Sequence, residues 1–310
     1  MLEPPRRCVP QSLHPHPRQA RPWKPPTRHQ WSPSSLGCQA DEFGCDVVRL
    51  AVLPAGARSR WISEPHPGTF TSDAFSADGR RLAFISGRRS DLYVALADGS
   101  HRRRIVQRAG SGSVAWSPGG TQVTFEHHGA VETVDQLGHN RRTVFAAEPG
   151  IPRQSLIGWS IRGDVAANGY TSTSPVAGTD GLVVRIRNGL TGPVRELALP
   201  NATGFTCSDW TADGARLICS WATHTGARSS SVAGLVDPTT GEVTRRFPSA
   251  GCGRHAVASP DGRLVAAGVT RLRLCTSAGR FIRHISVPSP AAWTRQGWAP
   301  LIASGWQPLR

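Results

Sequence analysis

Five polar residues in three separate segments of the chain could together hold a small charged ligand. They are Asp73, Arg153, Gln154, Arg254 and His255. An arginine holds a carboxylate through two parallel charge-assisted hydrogen bonds, and a histidine can titrate near neutral pH. These residues therefore predict binding of a carboxylate or another anion, with Asp73 setting the polarity on the opposite side. The alternative is that the arginines are solvated or pair with acids such as Asp73.

Residue combinations that are typical of catalysis or metal binding are not found in the sequence. No Gly-x-Ser-x-Gly nucleophile motif is present. The adjacent pair His127-His128 falls at the end of an expected strand, where neighbouring side chains point to opposite faces and cannot chelate one metal. The seven cysteines include no Cys-x-x-Cys pair and no Cys/His cluster at zinc spacing. We therefore expect no catalytic residues, no metal and no cofactor.

A recurring motif sets the positions of the five polar residues. Each copy has an aromatic residue, then Ser or Thr, two variable residues and Gly, followed by a short apolar strand; the fifth copy has Ala in the aromatic position. The copies are Phe75–Gly79, Trp116–Gly120, Trp159–Gly163, Trp210–Gly214, Ala258–Gly262 and Trp293–Gly297. Their glycines are 41, 43, 51, 48 and 35 residues apart by subtraction, close to the ~40–50 residues of a propeller blade. Each copy predicts a tight turn in which Gly takes a positive φ, and the turns of copies two, three and six lack the capping Asp.

A second series of glycines marks the turn between the third and fourth strands of each repeat. These are Gly56, Gly99, Gly138, Gly192, Gly241 and Gly279. Gly56 has no motif before it, and only 13 residues follow the sixth motif. We therefore expect the C-terminus to supply strands A and B of one blade, and Val47–Leu53 with Arg58–Ser63 to supply strands C and D. Such a blade would close the ring and leave no exposed sheet edge.

The Ser-Pro-Asp-Gly motif, followed by two strands and Asp-Gly, resembles the WD-like repeats of TolB-like β-propellers. The resemblance covers about residues 45–310. It implies an all-β fold, a six-bladed β-propeller with four-stranded blades, at residues 41–310. It implies little about function, because propellers include enzymes, scaffolds and receptors.

The N-terminal segment and the charge of the chain limit the classes of partner. Residues 1–40 contain nine Pro, six Arg or Lys and one acidic residue, so a disordered tail is expected. The net charge is +15, but the arginines are scattered, which does not favour nucleic acid. No window has the ~20 apolar residues of a membrane span, and no secretory signal is recognisable. The sequence leaves the compartment unassigned.

Cys207 and Cys219 lie six residues on either side of Asp213, so they should face each other across a hairpin. Opposed strand positions are near disulfide range, and a bond would require an oxidising compartment. A disulfide and two buried thiols are both compatible with this spacing. The other five cysteines cannot be paired from the sequence.

In a propeller the segments that lead into the innermost strands line one mouth of the central channel. This arrangement brings the five polar residues together, beside two expected long loops, Tyr170–Gly181 and Ala222–Ser230. The sequence favours a non-catalytic, monomeric binding or scaffolding propeller that holds a protein segment, peptide or small anionic ligand at this mouth. The alternatives are a propeller-fold enzyme of lyase or hydrolase type, and a basic binder of nucleic acid or of an envelope surface. Binding of the last kind would depend steeply on salt.

Overall fold

The structure, a computed structural model, is all-β in the residues that it describes. These are residues 31–41, 44–52, 60–61, 66–67, 72–86, 89–97, 99–110, 112–171, 182–198, 203–225, 228–253, 256–259, 261–267, 273–284 and 298–308. Side chains are described only within residues 72–284. The helical element in these ranges is one 3-10 turn, Ala250–Cys252. No helix of the described residues is long and apolar enough to cross a membrane.

The strands are antiparallel and follow one another as simple meanders. The N-terminal strands are β1 (Trp31–Asp41), β2 (Gly44–Val52), β3 (Arg60–Trp61) and β4 (His66–Pro67). The first blade has β5 (Ser72–Phe75), β6 (Arg81–Ser86), β7 (Asp91–Leu96) and β8 (Arg103–Val106), and the second has β9 (Val114–Trp116), β10 (Gln122–His127), β11 (Ala130–Asp135) and β12 (Arg142–Phe145). The third has β13 (Arg153–Trp159), β14 (Asp164–Tyr170), β15 (Leu182–Asn188) and β16 (Val194–Leu197), and the fourth has β17 (Thr203–Trp210), β18 (Leu217–Thr225), β19 (Arg228–Val236) and β20 (Val243–Arg246). The fifth has β21 (Val257–Ala258), β22 (Leu264–Ala267), β23 (Arg273–Thr276) and β24 (Phe281–His284), and the last strand is β25 (Trp298–Pro308).

The described strands form a β-propeller with five four-stranded blades, so the prediction of six such blades is wrong. The inner strands β5, β9, β13, β17 and β21 contact one another in chain order, and β25 contacts both β21 and β5. Between the fifth and first blades lies a five-stranded sheet built from both chain ends, in the order β25-β1-β2-β3 with β4 also paired to β2.

Among the described residues, the C-terminus contributes one strand to this end sheet, β25, which pairs with β1 over most of its length. The other predicted C-terminal strand, which precedes the sixth motif, falls on residues 285–297 and lies outside the described part of the chain. The N-terminus supplies the remaining strands. The strand β1 begins at Trp31, inside the range predicted to be a tail; residues 31–41 contain no Arg or Lys, and averaging the composition over residues 1–40 concealed this change.

The motif turns form as predicted in the five copies that the structure describes. In each, the amide of the motif Gly donates a hydrogen bond of 2.7–3.0 Å to the carbonyl of the Ser or Thr three residues earlier. These glycines have φ between 63° and 93°, which residues with a Cβ resist. Copies two and three make the same turn although they lack the capping Asp. There the Gly conformation is supported by the Ser117 and Ser160 hydroxyls, which accept the backbone N–H groups of Gln122 and Asp164.

The motif tryptophans link neighbouring blades. Each of the three described donates its indole N–H to a residue of the preceding blade, so that burying the ring leaves no unsatisfied donor. The pairs are Trp116 with the Ala74 carbonyl at 3.0 Å, Trp159 with the Thr124 hydroxyl at 2.7 Å, and Trp210 with the Gly158 carbonyl at 3.2 Å.

Two disulfides lie in the fourth and fifth blades. Cys207 and Cys219 are register partners on β17 and β18 and are bonded, with 3.9 Å between their Cα atoms. Cys252 is bonded to Cys275 on β23, a pairing that the sequence could not identify. Structural disulfides are typical of oxidising compartments.

Candidate functional site

A cavity of about 200 Å³ opens on the propeller axis where the inner strands end at the motif turns. We call this the axial cavity. It is lined by residues from all five four-stranded blades, because equivalent motif positions converge on the axis. Its aromatic residues are Phe75, Trp116, Trp159 and Trp210. Small or apolar residues two positions later in the motif, such as Ala77 and Ala212, complete the wall.

Ala258 stands where the other four described motif copies carry an aromatic ring. A methyl group replaces an indole or phenyl ring at this position of the fifth blade, so space remains beside the axis. Ala258 is one of the residues that line the axial cavity. The irregular fifth copy of the motif thus accounts for part of the open volume.

Among the described residues that line the axial cavity, Asp209 is the one acid. It directly precedes a motif aromatic, where the other described copies have Ala74, Ala115, Gly158 and Val257. One carboxylate oxygen accepts the backbone N–H of Trp210 at 2.8 Å, and the other accepts that of Ala258 at 2.8 Å. The carboxylate therefore links the fourth blade to the fifth by hydrogen bonds, and it also lines the cavity.

Burial raises the pKa of Asp209 to about 7, although the two backbone hydrogen bonds act in the opposite direction. Desolvation wins because it penalises the charged form, and none of the ion pairs among the described residues includes Asp209 to offset it. At neutral pH the group is thus poised between its two protonation states. Perturbed carboxyl groups of this kind are frequent at functional sites.

The stability of the protein should therefore depend on pH through Asp209. Its pKa is about 7 in the folded chain against 3.8 for an ordinary aspartate, so between these values the folded chain holds a proton that the unfolded chain has lost. We expect the free energy of unfolding to fall as the pH rises from about 4 to about 7. The loss should be about 3 kcal/mol, less than the about 4 kcal/mol of the full shift because at pH 7 about half of the folded chains still hold the proton.

Urea titrations of the wild type and Asp209→Asn across this pH range check the prediction. Other titrating groups are common to both chains, so the difference between the two curves isolates Asp209. Parallel pH profiles would show that the carboxyl group does not carry the effect.

Arg153, one of the five residues predicted to form a ligand-binding rim, lies at the opposite end of the channel. Arg153 begins β13 and is exposed, with its guanidinium carbon 5.4 Å from the centre of the Tyr170 ring. Beside it, Glu126 accepts the backbone N–H groups of Ser113 at 3.0 Å and Leu156 at 2.8 Å. Burial raises the pKa of Glu126, and the charge of Arg153 opposes that rise. Arg153 thus lies next to an acid and an aromatic ring.

The other predicted rim residues do not join Arg153 in an exposed group. Gln154 is buried, donates to the Ala146 carbonyl at 2.7 Å and accepts from Arg185 at 3.4 Å, because alternation along β13 turns it away from Arg153. Asp73 is 2% exposed within β5. Arg254 and His255 lie outside the described residues.

One of the two expected long loops, Ala222–Ser230, differs from the prediction in its described residues. Ala222–Ser230 was expected to be a loop, but β18 and β19 extend into it, and Thr223 pairs with Ser230 through hydroxyl groups 2.8 Å apart. Thr and Ser fit a strand as well as a loop, and cross-strand pairing decides between the two. Of the expected loop Tyr170–Gly181, residues 172–181 lie outside the described part of the chain.

Sequence reasoning missed both Asp209 and the axial cavity. Trp116 and Trp210 are buried in the core, and the same rings also line the cavity. The sequence does contain a signal for Asp209: it directly precedes the aromatic position of its motif copy, where every other copy has Ala, Gly or Val. Among the described residues, no group of three His, Cys, Asp or Glu side chains could hold a metal ion.

Comparisons with known proteins support the fold. No family model matches the chain, and no curated protein sequence matches it. A crystal structure of TolB from Acinetobacter baumannii superimposes with a TM-score of 0.63 at 15% identity, over 89% of this chain and 66% of the TolB chain. This chain therefore spans just under two thirds of that protein.

Two further structures share the architecture. A chain of a nidogen/laminin complex gives a TM-score of 0.61 at 13% identity, over 89% of this chain and 98% of that one. A gluconolactonase from Xanthomonas campestris gives 0.53 at 12% identity, over 86% and 89% of the two chains. At these identities the likeness establishes an all-β propeller fold, shared by binding proteins and enzymes.

Proposed function

We propose that this protein is a non-catalytic binding propeller that holds a protein segment, a peptide or a small ligand in its central channel. The observation that carries the proposal is the axial cavity, to which all five four-stranded blades contribute equivalent positions. A rigid scaffold that converges on one concave site is the usual arrangement of a binding site.

The size of the axial cavity limits what it can enclose. Pockets for drug-sized ligands measure roughly 300–1,000 Å³, and this one is about 200 Å³. It therefore suits the end of a ligand or one side chain of a partner. One of the structural neighbours is a chain of a nidogen/laminin complex, which is compatible with a protein partner here.

We propose a second contact region for the same partner at the opposite mouth of the channel. Arg153 is exposed there, and we propose that it acts with Arg254 and His255 on a carboxylate or another anion of the partner. Its neighbour Glu126 opposes anion binding, so this contact is secondary to the axial cavity. The two disulfides favour an oxidising compartment as the place of action.

A propeller-fold enzyme is the second candidate, and Asp209 is the observation that favours it. A carboxyl group with a pKa of about 7 in a cavity has the protonation behaviour of a general acid or base. The gluconolactonase neighbour shows that this fold hosts enzymes. An enzymatic role requires turnover that Asp209→Asn abolishes, whereas the binding role requires none.

Filling the axial cavity should abolish binding without harming the fold. Ala258→Trp places at the fifth copy the ring that four other copies carry, and the backbone N–H that Asp209 accepts is kept. We expect wild type immobilised on resin to enrich a partner from native extract, and Ala258→Trp to lose it at an unchanged melting temperature. The matched control is Thr143→Trp, on the outer strand β12, where the residue is exposed. Equal capture by all three chains would refute the proposed function.

A further inference from the structure

We propose that the axial cavity binds an organic cation, an alkylammonium group, between the Asp209 carboxylate and the aromatic rings of the motif. This inference rests on the proposed function and names the chemistry of the group that the channel holds. It follows from which hydrogen-bonding atoms of the lining are already engaged and which remain.

The indole donors of the lining are engaged within the propeller itself. Trp116, Trp159 and Trp210 each donate the ring N–H to the preceding blade. The rings thus offer the cavity carbon surface and π-electrons, and no N–H group for an anion.

The hydroxyl donors of the lining are mostly engaged as well. Thr211 donates to Asp213 at 2.6 Å, and Ser259 donates to Asp261 at 2.7 Å, because these hydroxyls cap the motif turns. Ser117 is left as the remaining hydroxyl donor among the described lining residues. An anion would find few partners in such a cavity.

Acceptor capacity remains at Asp209. Each of its oxygens accepts one backbone N–H, and a carboxylate has about four lone-pair sites in total. The described lining contains no Arg, Lys or His to neutralise it. A ligand that brings a positive charge supplies the missing partner and removes the cost of an uncompensated half-buried carboxylate.

The aromatic residues favour the same class of ligand. Cations are attracted to the faces of Trp, Tyr and Phe rings, and quaternary ammonium groups are recognised by cages of such rings. Four aromatic residues from four blades line this cavity beside one acid. Its small volume fits an alkylammonium head better than a large molecule. The group could belong to a free amine or to a lysine side chain of a protein partner.

Three probes of equal length and different charge test the proposal on the intact chain. We expect butylammonium to bind at millimolar concentrations by isothermal titration calorimetry, and 1-butanol and butyrate to bind at least tenfold more weakly. The capped peptide Gly-Lys-Gly distinguishes the source: tighter binding than butylammonium indicates a protein segment, and weaker binding a free amine. Equal binding of 1-butanol, tighter binding of butyrate, or no binding of butylammonium overturns the proposal.

Two variants and one pH series locate the site. Asp209→Asn should weaken butylammonium binding at least tenfold, Ala258→Trp should abolish it, and Thr143→Trp should leave it unchanged. If Asp209→Asn does not fold, a pH series on the wild type tests the role of Asp209 instead. Tetramethylammonium is the probe for this series because it keeps its charge at every pH. Its affinity should fall as the pH is lowered from 8 to 5 and Asp209 becomes protonated.

That pH dependence can be assigned to Asp209 among the described residues. The described lining contains no other titratable side chain, and the adjoining turns carry Asp78, Asp213 and Asp261. Although burial opposes it, the hydrogen bond from Ser76 keeps the pKa of Asp78 below its ordinary value. The hydrogen bond from Thr211 lowers the pKa of Asp213 below its ordinary value, so this group stays ionised over that range. A flat tetramethylammonium series would contradict the role of Asp209.

The outcomes separate this inference from the proposed function. If the cationic probes fail but Ala258→Trp still loses the captured partner, the binding function stands and the cation is wrong. If Ala258→Trp captures the partner as wild type does, the proposed function fails whatever the probes do.

Discussion

Deletion of residues 293–310 should yield a chain that aggregates when expressed. The deletion removes β25, which pairs with β1 and contacts the inner strands β5 and β21. Without it, β1 presents an unpaired edge, and the first and fifth blades lose the strand that lies between them. Exposed edges of this kind pair with other chains. We expect loss of the soluble monomer, measured by the soluble fraction and size-exclusion chromatography.

The control for this deletion is a truncation that stops before β1. Removing residues 1–28 leaves Trp31–Asp41 in place, so the melting temperature should change little. A deletion that extends into β1 should be as damaging as the loss of β25, because the two strands pair with each other. A soluble, cooperatively unfolding chain without residues 293–310 would show that the end sheet does not hold the ring together.

Trp210→Ala should lower the free energy of unfolding by about 3–5 kcal/mol, the range for removing a buried aromatic ring. Trp210 is 3% exposed and packs in one core cluster with residues of the third and fourth blades, among them Ile186 and Leu217. Its loss opens a cavity between two blades and frees the carbonyl of Gly158 from its indole donor. Chemical denaturation of the purified chains measures the change.

Trp210→Phe is the matched variant, because the first motif copy carries Phe75 at this position. It keeps most of the ring packing and loses one hydrogen bond, so we expect a cost of about 1–2 kcal/mol. Leu137→Ala is the surface control, since Leu137 is 53% exposed, and it should change stability by at most about 0.5 kcal/mol. A cost below about 1 kcal/mol for Trp210→Ala would contradict the interblade role of the motif tryptophans.

The sequence determined the features that depend on local chemistry. Gly79, Gly120 and Gly214 could be placed in turns because a positive φ is a property of the residue itself. The repeat spacing then predicted a propeller of four-stranded blades. That Cys207 and Cys219 face each other could be predicted from the position of one hairpin turn. The sequence could not decide whether they form a disulfide or remain two thiols.

The blade count and the candidate site depended on contacts between distant residues. The incomplete repeats predicted that both chain ends share one sheet, but the partner of β25 in that sheet is β1, which begins inside the predicted tail, and no local pattern records that pairing. Gln154 and Arg153 are neighbours in sequence, but only the packing of β13 shows that one is buried and the other exposed.

Asp209 is the strongest case of a property that tertiary structure decided. In the sequence it is one of 21 acidic residues, and nothing adjacent to it indicates a special pKa. Its altered pKa arises because the fold buries it, and Ala258, 49 residues away, supplies one of its hydrogen bonds and the space beside it. Burial and distant neighbours set the energy of a charge, and both exist only once the blades have closed around the axis.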